Sequence, residues 1–528
     1  MSLPLRPKFR QLFAGADISQ LLRNIATDSP DRPYASFAGK TVTFEEFQDM
    51  VDVAARNLIS MEVSQGSRAA VGLGNSVAHG AIIFALFQIG AIWIPLNTRL
   101  RGAPLEHMLS DSSASHLIAE EGEEFALTCA RACQALTDGN VPELKGSFTD
   151  SGPVFGKMRL WDLQRERISD ALPDDIRSIM YTSGTTGPAK GVLVTDLMLR
   201  ASARGGLEAA GPVDDDIFYV WEPFCHIGGA EMLLFPLVSK VSLAITKGFS
   251  VSRFWTEVAE VGATHIHHLG GILQLLLSQP STPVERQHRV RVSWGAGATP
   301  DTWYDAERRF GLTVHECYGM TETSSVITVN LQGREYGVGF VLPWFEMRLE
   351  SSEGSGRSGE IEVRGRYPGL LTAGYLNNEE ATHRSHHDGW FRTGDLGEIG
   401  DDGHLRFLGR ANDSFRVRGE NVSSWQVESV FGSHVDIDQC AVLAVAADVG
   451  EQELLLLVTA GEGREVSIDE IAAWAADRLP DFQIPRYMQV VPDFPLTPSR
   501  RVAKKQIIVD LESAVDLRPR RQRIPVAE

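Results

Sequence analysis

Long hydrophobic runs and cysteines are both scarce in this chain of 528 residues. The most apolar stretch, residues 78–96, is broken by His79, Gly90 and Pro95, which predicts a buried helix followed by a strand and no membrane span. Residues 1–30 lack the continuous apolar core of a signal peptide, so we expect no export signal. Five cysteines are too few for a disulfide framework at this length, and we therefore expect a reducing, cytoplasmic location.

Basic residues are also fewer than acidic ones: the chain has 50 Lys and Arg against 69 Asp and Glu, which gives a formal net charge of −19. Binding to a phosphate backbone requires a basic face, so we expect no nucleic acid as main partner, whereas single nucleotides held by local donors stay compatible. The basic tail at residues 518–523 is interpreted as a solvated end. What the chain does have is an ordinary globular composition, 43% hydrophobic, which predicts a large core. Its length predicts two to four domains, or one large domain with an appendage.

Between residues 40 and 400, short β-rich runs alternate with helical patterns, which predicts α/β layers with a largely parallel sheet. The predicted strands are Ser67–Leu73, Ala91–Leu96, Ser178–Thr182, Ser242–Thr246 and Val314–Tyr318. The predicted helices are Phe44–Met61, Leu105–Ser110 and Phe254–Val261.

The composition changes near residue 409, where a polar, glycine-containing stretch leads into a compact group of elements. The predicted elements there are one helix and two strands, namely Trp425–Phe431, Cys440–Ala446 and Glu453–Thr459. Ser467 and Glu470 have the spacing of a capping box, which predicts a further helix that runs to Arg478. Together these elements indicate a small α+β domain at the end of the chain.

The segment Tyr181-Thr-Ser-Gly-Thr-Thr-Gly-Pro-Ala-Lys-Gly191 combines hydroxyls, glycines and a lysine directly after a predicted buried strand. Phosphate oxygens need short-range donors, close approach of the backbone and a nearby positive charge. The segment is not a Walker A loop, because a glycine follows Lys190 where that motif has Ser or Thr. The alternative is a flexible surface turn. The candidate phosphate-binding residues are Thr182, Ser183, Gly184, Thr185, Thr186, Gly187 and Lys190.

Further motifs follow in a fixed order: Tyr318-Gly-Met-Thr-Glu-Thr323, then Trp390-Phe-Arg-Thr-Gly-Asp-Leu396, then Gly409-Arg410. With the segment at 181–191 they resemble the signature motifs of the adenylate-forming superfamily, which includes acyl-CoA synthetases, peptide-synthetase adenylation domains and luciferases. Two further segments, Pro223-Phe-Cys-His-Ile-Gly228 and Gly419-Glu-Asn-Val-Ser423, most resemble the carnitine/crotonobetaine-CoA ligase group.

The resemblance implies an α/β fold, with a large N-terminal domain of layered α/β subdomains and a smaller, mobile α+β C-terminal domain. It places the large domain at residues 1–409, a hinge at 410–413 and the small domain at 414–528. It also implies a two-step reaction. A carboxylic acid attacks the α-phosphate of ATP in the presence of Mg²⁺, and a thiol, usually that of CoA as a substrate, then displaces AMP. A homodimer is an expectation because dimers are common in the family.

Each motif residue acquires a role by this resemblance. Thr321 would bind the α-phosphate, Glu322 would hold Mg²⁺, Asp395 would accept from both ribose hydroxyls, and Arg410 would contact the ribose. The remaining predicted ATP-binding residues around the adenine and the α-phosphate are Gly297, Ala298, Thr299, Tyr318, Gly319 and Met320. In the small domain, Arg418 and Gly419 would line the path of CoA.

The acid-binding pocket is expected at segments 224–230, 265–273 and 318–325. His226 matches a gate position of the family and is also a predicted catalytic residue, with a hydrogen-bonded core histidine as the alternative. His265, His267 and Gly270 are predicted to line the pocket, and we expect the two histidines on one face of a strand. Plain structural histidines and a metal site are the alternatives there. Imidazoles in the wall would favour a small or polar acid.

Three positions depart from the family pattern. The hinge carries Asn412 where the family has Asp or Lys, and Arg418 replaces one of two paired glycines. Near the C-terminus, Arg501 takes the place of the lysine that bridges the substrate carboxylate and the α-phosphate. Arginine differs from lysine in geometry but can bridge two oxyanions. We predict Arg501 as catalytic, with Lys504 or Lys505 as substitutes, or a weakened adenylation step, as the alternatives.

Two other functions stay open on the sequence. The chain could load a separate carrier protein in place of CoA, although its only Leu-Gly-Gly, at 269–271, lacks the serine that a carrier attachment site requires. It could also be a nucleotide-binding homologue that has lost catalysis, which the change at Arg501 favours and the intact phosphate segment opposes.

Overall fold

The computed structural model describes most of the chain, and every structural statement below concerns the residues in these ranges. They are 15–100, 103–120, 125, 129, 143–147, 155, 158–163, 172–182, 188–269, 271–331, 337–350, 357–411, 414–417, 420–446, 452–461, 463–476, 478–479, 483–496 and 502–517.

A seven-stranded mixed sheet forms one layer of the large domain. In spatial order its strands are Glu143–Ser147, Met158–Asp162, His116–Glu120, Arg68–Gly72, Ile92–Pro95, Ile176–Thr182 and Lys190–Thr195. The middle strands are parallel, and antiparallel pairs lie at both edges. The last pair is a hairpin in which Thr182 is the register partner of Lys190. The predicted phosphate segment is therefore the connection between two edge strands.

A nine-stranded sheet forms the second layer. In spatial order its strands are Phe340–Val341, Thr328–Asn330, Thr313–Tyr318, Val292–Ala296, His265–Leu269, Ile217–Val220, Ser242–Ile245, Pro33–Phe37 and Lys40–Thr43. Its central strands are parallel. Because carboxyl ends of parallel strands meet at one edge, the segments that follow residues 220, 269, 296 and 318 come together there.

Helices cover and separate these two sheets. Helix Val77–Gln88 is buried along almost its whole length, and its Phe84 shares one core with Trp93 of the first sheet and Trp294 of the second. Helix Phe44–Ser60 begins at Thr43 in a capping box with Glu46. The other helices of this part are Ile18–Asp28, Ala103–Asp111, Asp196–Ala210, Ile227–Met232, Phe235–Val238, Phe254–Glu260, Ile272–Ser278, Pro300–Phe310 and Glu379–Ser385.

A five-stranded antiparallel sheet follows, built from Phe345–Glu350, Ser358–Gly365, His386–His387, Trp390–Ile399 and Leu405–Arg410. Its last two long strands place Asp395 directly opposite Arg410. A hairpin of Ser414–Val417 and Glu420–Ser423 comes next. The final sheet contains Ile437–Ala446, Gln452–Ala460, Tyr487–Val490 and Val515–Asp516, and helices Ser424–Phe431 and Ile468–Ala476 accompany it.

This architecture confirms the predicted fold class, a large α/β part followed by a small α+β part. Each strand and helix predicted above is present within a few residues of its expected bounds. The helix predicted to reach Arg478 ends at Ala476, and Ser467 caps it by accepting a hydrogen bond from the Glu470 amide at 3.4 Å. Within the described ranges, no helix is long and apolar enough to cross a membrane.

Candidate functional site

The base of the phosphate segment is fixed by strand pairing. Thr182 ends one strand and Lys190 begins the next, so both face the connection between them. The backbone amide of Leu376 donates to the Gly191 carbonyl at 2.8 Å, which attaches segment 372–376 to this hairpin. Five of the seven residues of this connection lie outside the described residues, so their predicted role stays a prediction: Ser183, Gly184, Thr185, Thr186 and Gly187.

Glu322 lies beside this hairpin. It belongs to a single 3₁₀ turn, Thr321–Thr323, that follows strand Thr313–Tyr318, and only 7% of the residue is exposed. Its Oε1 accepts from the Tyr375 hydroxyl at 2.9 Å and from the Thr182 hydroxyl at 3.4 Å. Lys190 Nζ lies 4.9 Å from the centroid of the Tyr375 ring. The carboxylate, the ammonium group and the base of the phosphate segment therefore meet around Tyr375.

Asp395 forms a second polar centre. Its Oδ2 accepts from the Tyr318 hydroxyl at 2.7 Å, and its Oδ1 lies 2.9 Å from Arg410 Nε. Burial and the Asp395 charge raise the pKa of the Tyr318 hydroxyl well above its usual range, so this hydroxyl stays a donor. Tyr318 also packs on Phe407, and Phe407 contacts Trp425 of the small domain edge-on.

The two centres are neighbours. Burial and the Glu322 charge raise the pKa of the Tyr375 hydroxyl, whereas the Arg410 charge acts in the opposite direction on the same group. Arg410 is the partner of Asp395. Glu322 also follows Tyr318, the partner of Asp395, by four residues, so Lys190, Glu322 and Asp395 lie in one region of the fold.

A buried carboxylate binds the backbone amides of the predicted adenine loop. Glu316, in strand Thr313–Tyr318, accepts from the backbone amides of Gly297 and Ala298 through Oε1. Its Oε2 lies 3.1 Å from His268 Nε2, and His268 Nδ1 lies 2.9 Å from the Ser293 hydroxyl. Thr299 caps helix Pro300–Phe310, whose start continues the loop.

Gly319, Met320 and Thr321 connect strand Thr313–Tyr318 to the turn that carries Glu322. Gly319 must be glycine, because a Cβ there would lie 1.8 Å from the Ser325 carbonyl oxygen. Ser324 and Ser325 both adopt positive φ angles, 57° and 65°, which a tight reversal demands. The Met320 carbonyl accepts from the amides of Thr323 and Ser325, and these bonds hold the turn closed.

The predicted pocket residues divide into two groups. His226 is half-buried and occupies the N-cap position of helix Ile227–Met232, which follows the carboxyl end of strand Ile217–Val220; its side chain makes no capping hydrogen bond. His267 Nδ1 lies 2.9 Å from Glu222 Oε2, close to the same edge. His265 lies at the opposite, amino end of its strand, stacked on Phe218 at 4.6 Å. Burial lowers the pKa of His265 to about 4.

The prediction that His265 lines the pocket is therefore corrected in favour of its structural alternative. It shares a face with His267, as expected, but two residues along a strand separate the side chains enough to place only His267 beside Glu222. Three other predicted site residues, Gly270, Arg418 and Gly419, lie outside the described residues, as do Asn412 and Arg501. Lys504, a predicted substitute for Arg501, contacts Glu428 at 2.7 Å and Ser424 at 2.8 Å.

The side chains fit a magnesium ion that is shared with phosphate oxygens. Among the described residues, no group of three or more His, Cys, Asp or Glu side chains could hold a metal by itself. Glu322 supplies one carboxylate beside the hydroxyl of Thr182. Mg²⁺ is commonly bound by one or two carboxylates together with substrate phosphates and water, so a single buried carboxylate at the phosphate segment is a suitable donor.

Two residues of this site were missed by the sequence analysis. Tyr375 joins Glu322 to Lys190, and Glu316 supports the adenine loop. Tyr375 is far from Glu322 in the sequence, and no motif around Tyr375 indicates that the two residues are in contact in the folded chain. Glu316 lies two residues before the Tyr318 motif, in the same predicted strand. This position was the one sequence signal that could have indicated a role for Glu316 in the site.

Tyr375→Phe is expected to reduce the rate of ATP-dependent turnover by about tenfold at limiting Mg²⁺, because a hydrogen bond to a charged group is lost. Initial rates should be measured over a series of Mg²⁺ concentrations, and high Mg²⁺ should restore part of the loss. Tyr304→Phe, at an exposed helix position, is the matched control and should match the wild type. An unchanged Mg²⁺ dependence in Tyr375→Phe would remove this tyrosine from the site.

Comparison with known proteins places these motifs in a family. Residues 22–376 match the AMP-binding enzyme family, and residues 426–501 match the AMP-binding enzyme C-terminal domain. A probable CoA ligase of Humulus lupulus, CCL9, is 29% identical over 94% of this chain and 98% of its own length. The oxalate–CoA ligase of Arabidopsis thaliana is 28% identical over 92% of this chain and 97% of its own length.

The fold has been seen before in solved structures. The o-succinylbenzoate-CoA synthetase of Bacillus subtilis, in complex with its acyl-adenylate intermediate, aligns with a TM-score of 0.77. The alignment covers 92% of this chain and 97% of that one, at 24% identity. At this identity the match supports the fold and the order of its elements.

Proposed function

Because this chain belongs to the AMP-binding enzyme family, we propose that it is an ATP-dependent acid–CoA ligase of the AMP-forming kind. The observation that carries this proposal is the grouping of Lys190, Glu322 and Asp395 in one region of the fold. The relatives named above are a probable CoA ligase and an oxalate–CoA ligase. ATP, Mg²⁺ and CoA are the substrates and cofactor that this activity requires.

In the first step, an oxygen of the substrate carboxylate bonds to the α-phosphorus of ATP, and the bond from that phosphorus to pyrophosphate breaks. Negative charge accumulates on the phosphate oxygens, so positioning and charge neutralisation provide most of the acceleration. Lys190 is suited to the outer phosphates, because it stands at the base of the phosphate segment. Thr321, in the same turn as Glu322, is suited to the α-phosphate. Mg²⁺ would be held through Glu322 and would neutralise part of the phosphate charge.

The ribose and adenine fit the second centre. We assign Asp395 to the ribose hydroxyls, because a buried carboxylate fixed by Tyr318 and Arg410 has oxygens to accept from them. Gly297, Ala298 and Thr299 approach the adenine as backbone, and Glu316 holds them in place. In the second step, the CoA sulfur bonds to the acyl carbon and AMP leaves. We assign His226 to the gate between the acid and the thiol, and Arg418 and Gly419 to the path of CoA.

The thiol acceptor is tested by supplying ATP, an acid and either CoA or a phosphopantetheinylated carrier protein. We expect AMP release to depend on CoA and an acyl-CoA thioester to accumulate. Turnover with the carrier alone would favour the carrier-loading alternative. ATP binding without pyrophosphate release, across a broad panel of acids, would favour a homologue that has lost catalysis.

The acid is a finer question than the reaction class. The segments at 223–228 and 419–423 resemble the carnitine/crotonobetaine-CoA ligase group, whereas the named relatives are CoA ligases of several kinds. We propose a small or polar acid, because His267 and Glu222 stand where the pocket segments meet. We also propose a cytoplasmic enzyme, supported by the small number of cysteines in the chain. We propose a homodimer as well, because dimers are common in the family that the motifs resemble.

A further inference from the structure

One face of helix Ala103–Asp111 contacts the base of the phosphate segment. His107 and Asp111 lie four positions apart, so their side chains share this face of the helix. His107 Nε2 lies 2.7 Å from the carbonyl oxygen of Ala189. The hydroxyl of Tyr181 donates to Asp111 Oδ2, also at 2.7 Å. The helix therefore makes one polar contact on each side of the segment.

The chemistry of both contacts fixes which group donates. A carbonyl oxygen only accepts, so His107 carries a proton on Nε2 and donates it to Ala189. Burial and the Asp111 charge raise the pKa of the Tyr181 hydroxyl well above its usual range, so this hydroxyl keeps its proton. The rings of His107 and Tyr181 also meet edge-on, with 6.1 Å between their centroids. The two contacts are thus parts of one cluster.

A third contact joins the same end of the helix to the side of the site that carries Glu322. Asn377 Nδ2 donates to the Asp111 backbone carbonyl at 2.8 Å and lies 3.3 Å from Asp111 Oδ1. Asn377 comes two residues after Tyr375, whose hydroxyl donates to Glu322. The end of the helix therefore connects the phosphate hairpin with the segment that orients the Glu322 carboxylate.

The residues held by the helix directly precede the two polar side chains at the base of the hairpin. Tyr181 precedes Thr182, and Ala189 precedes Lys190. Strand Lys190–Thr195 is the last strand of its sheet, so the sheet pairs with it on one side only. Loss of the helix contacts would let the end of the hairpin move, and Lys190 would move with it.

We propose that His107 and Asp111 are positioning residues that set the affinity of this protein for the outer phosphates of ATP. They act through Thr182 and Lys190, which they hold in place beside Glu322. The inference rests on the proposed ligase function and adds the residues on which its phosphate site depends. Because AMP lacks the outer phosphates, ATP and AMP should respond differently when the contacts are removed.

The test measures the binding of ATP with Mg²⁺, and of AMP, by titration calorimetry in the absence of any acid. His107→Phe keeps a ring but cannot donate to the Ala189 carbonyl, so it should weaken ATP binding by about five- to tenfold and leave AMP binding at the wild-type value. His107→Gln, which keeps a donor, should restore most of the ATP affinity. His383→Phe, at an exposed helix position, is the matched control and should bind both nucleotides as the wild type does.

Tyr181→Phe removes the contact with Asp111 and carries the same prediction, so it serves if His107→Phe does not fold. In turnover, both variants should raise the KM for ATP. Both should convert a supplied acyl-AMP with CoA at the wild-type rate, because the outer phosphates have left before that step.

Unchanged ATP affinity in both variants would overturn the inference. Parallel losses of ATP affinity, AMP affinity and the thiol step would also overturn it, because a helix that only supports the fold acts on all three. Failure of the wild type to release pyrophosphate with any acid would instead contradict the ligase function, and the comparison of ATP with AMP would still decide the role of His107.

Discussion

Replacing Glu322 with glutamine is expected to lower the kcat of acyl-AMP formation by about two to three orders of magnitude, the usual cost of removing an electrostatic partner of a transition state. The carboxylate is buried, and its Oε1 is oriented by the hydroxyls of Tyr375 and Thr182. Glutamine keeps the volume and one oxygen but loses the negative charge that Mg²⁺ requires. The rate of acid-dependent pyrophosphate release, measured over a series of Mg²⁺ concentrations, checks this expectation.

The loss in Glu322→Gln should appear mainly in kcat and in the Mg²⁺ dependence, with a much smaller change in the affinity for AMP. AMP binding depends on the Asp395 centre, which the substitution leaves intact. Glu350→Gln, at an exposed strand position, serves as the control. A Glu322→Gln enzyme with wild-type kcat at every Mg²⁺ concentration would show that this carboxylate has no part in phosphate chemistry.

The second large effect is expected from Arg501→Ala. Adenylation should fall by about three orders of magnitude, because a cation that bridges phosphate and carboxylate oxygens is lost. Thioesterification of a supplied acyl-AMP should continue at nearly the wild-type rate, since the α-phosphate has already been transferred. Arg501 lies outside the described residues, but its flanks are fixed: Leu496 bridges to Val502, and the Ala503 amide donates to the Pro495 carbonyl at 2.7 Å.

The two half-reactions can be measured separately with the same enzyme. Pyrophosphate release reports adenylation, and conversion of synthetic acyl-AMP with CoA reports the thiol step. Lys504→Ala is the informative comparison, because Lys504 is bound to Glu428 and Ser424 and should affect stability more than adenylation. Equal loss of both half-reactions in Arg501→Ala would refute its assigned role, and selective loss of adenylation in Lys504→Ala would move that role to the lysine.

Local patterns made most of the fold predictable. The strand that ends at Thr182 and the one that ends at Tyr318 are short apolar runs with clear boundaries, and the signature motifs follow them directly. The expectation that these motifs share one site came from the resemblance to the adenylate-forming superfamily, because the two strands lie in different sheets. The grouping of Lys190, Glu322 and Asp395 agrees with that expectation.

Contacts between distant segments could not be predicted in the same way. The Tyr375 hydroxyl donates to Glu322, which lies 53 positions away in the sequence, and no periodic pattern in the sequence predicts this contact. The pairing of His267 with Glu222 likewise depends on the order of strands in the nine-stranded sheet. Strand alternation predicted that His265 and His267 share a face, but not which end of the strand lies near the pocket. Tertiary packing decides such questions, and one sequence does not encode them locally.

The central claim is that an oxygen of the substrate acid attacks the α-phosphorus of ATP in the cleft around Tyr375. Turnover of a carboxylic acid labelled with ¹⁸O in its carboxylate, with ATP, Mg²⁺ and CoA present, tests this claim most directly. Mass spectrometry of the products should find one ¹⁸O atom in AMP and none in pyrophosphate. Label in inorganic phosphate together with ADP, or unlabelled AMP alongside acyl-CoA, would contradict the account.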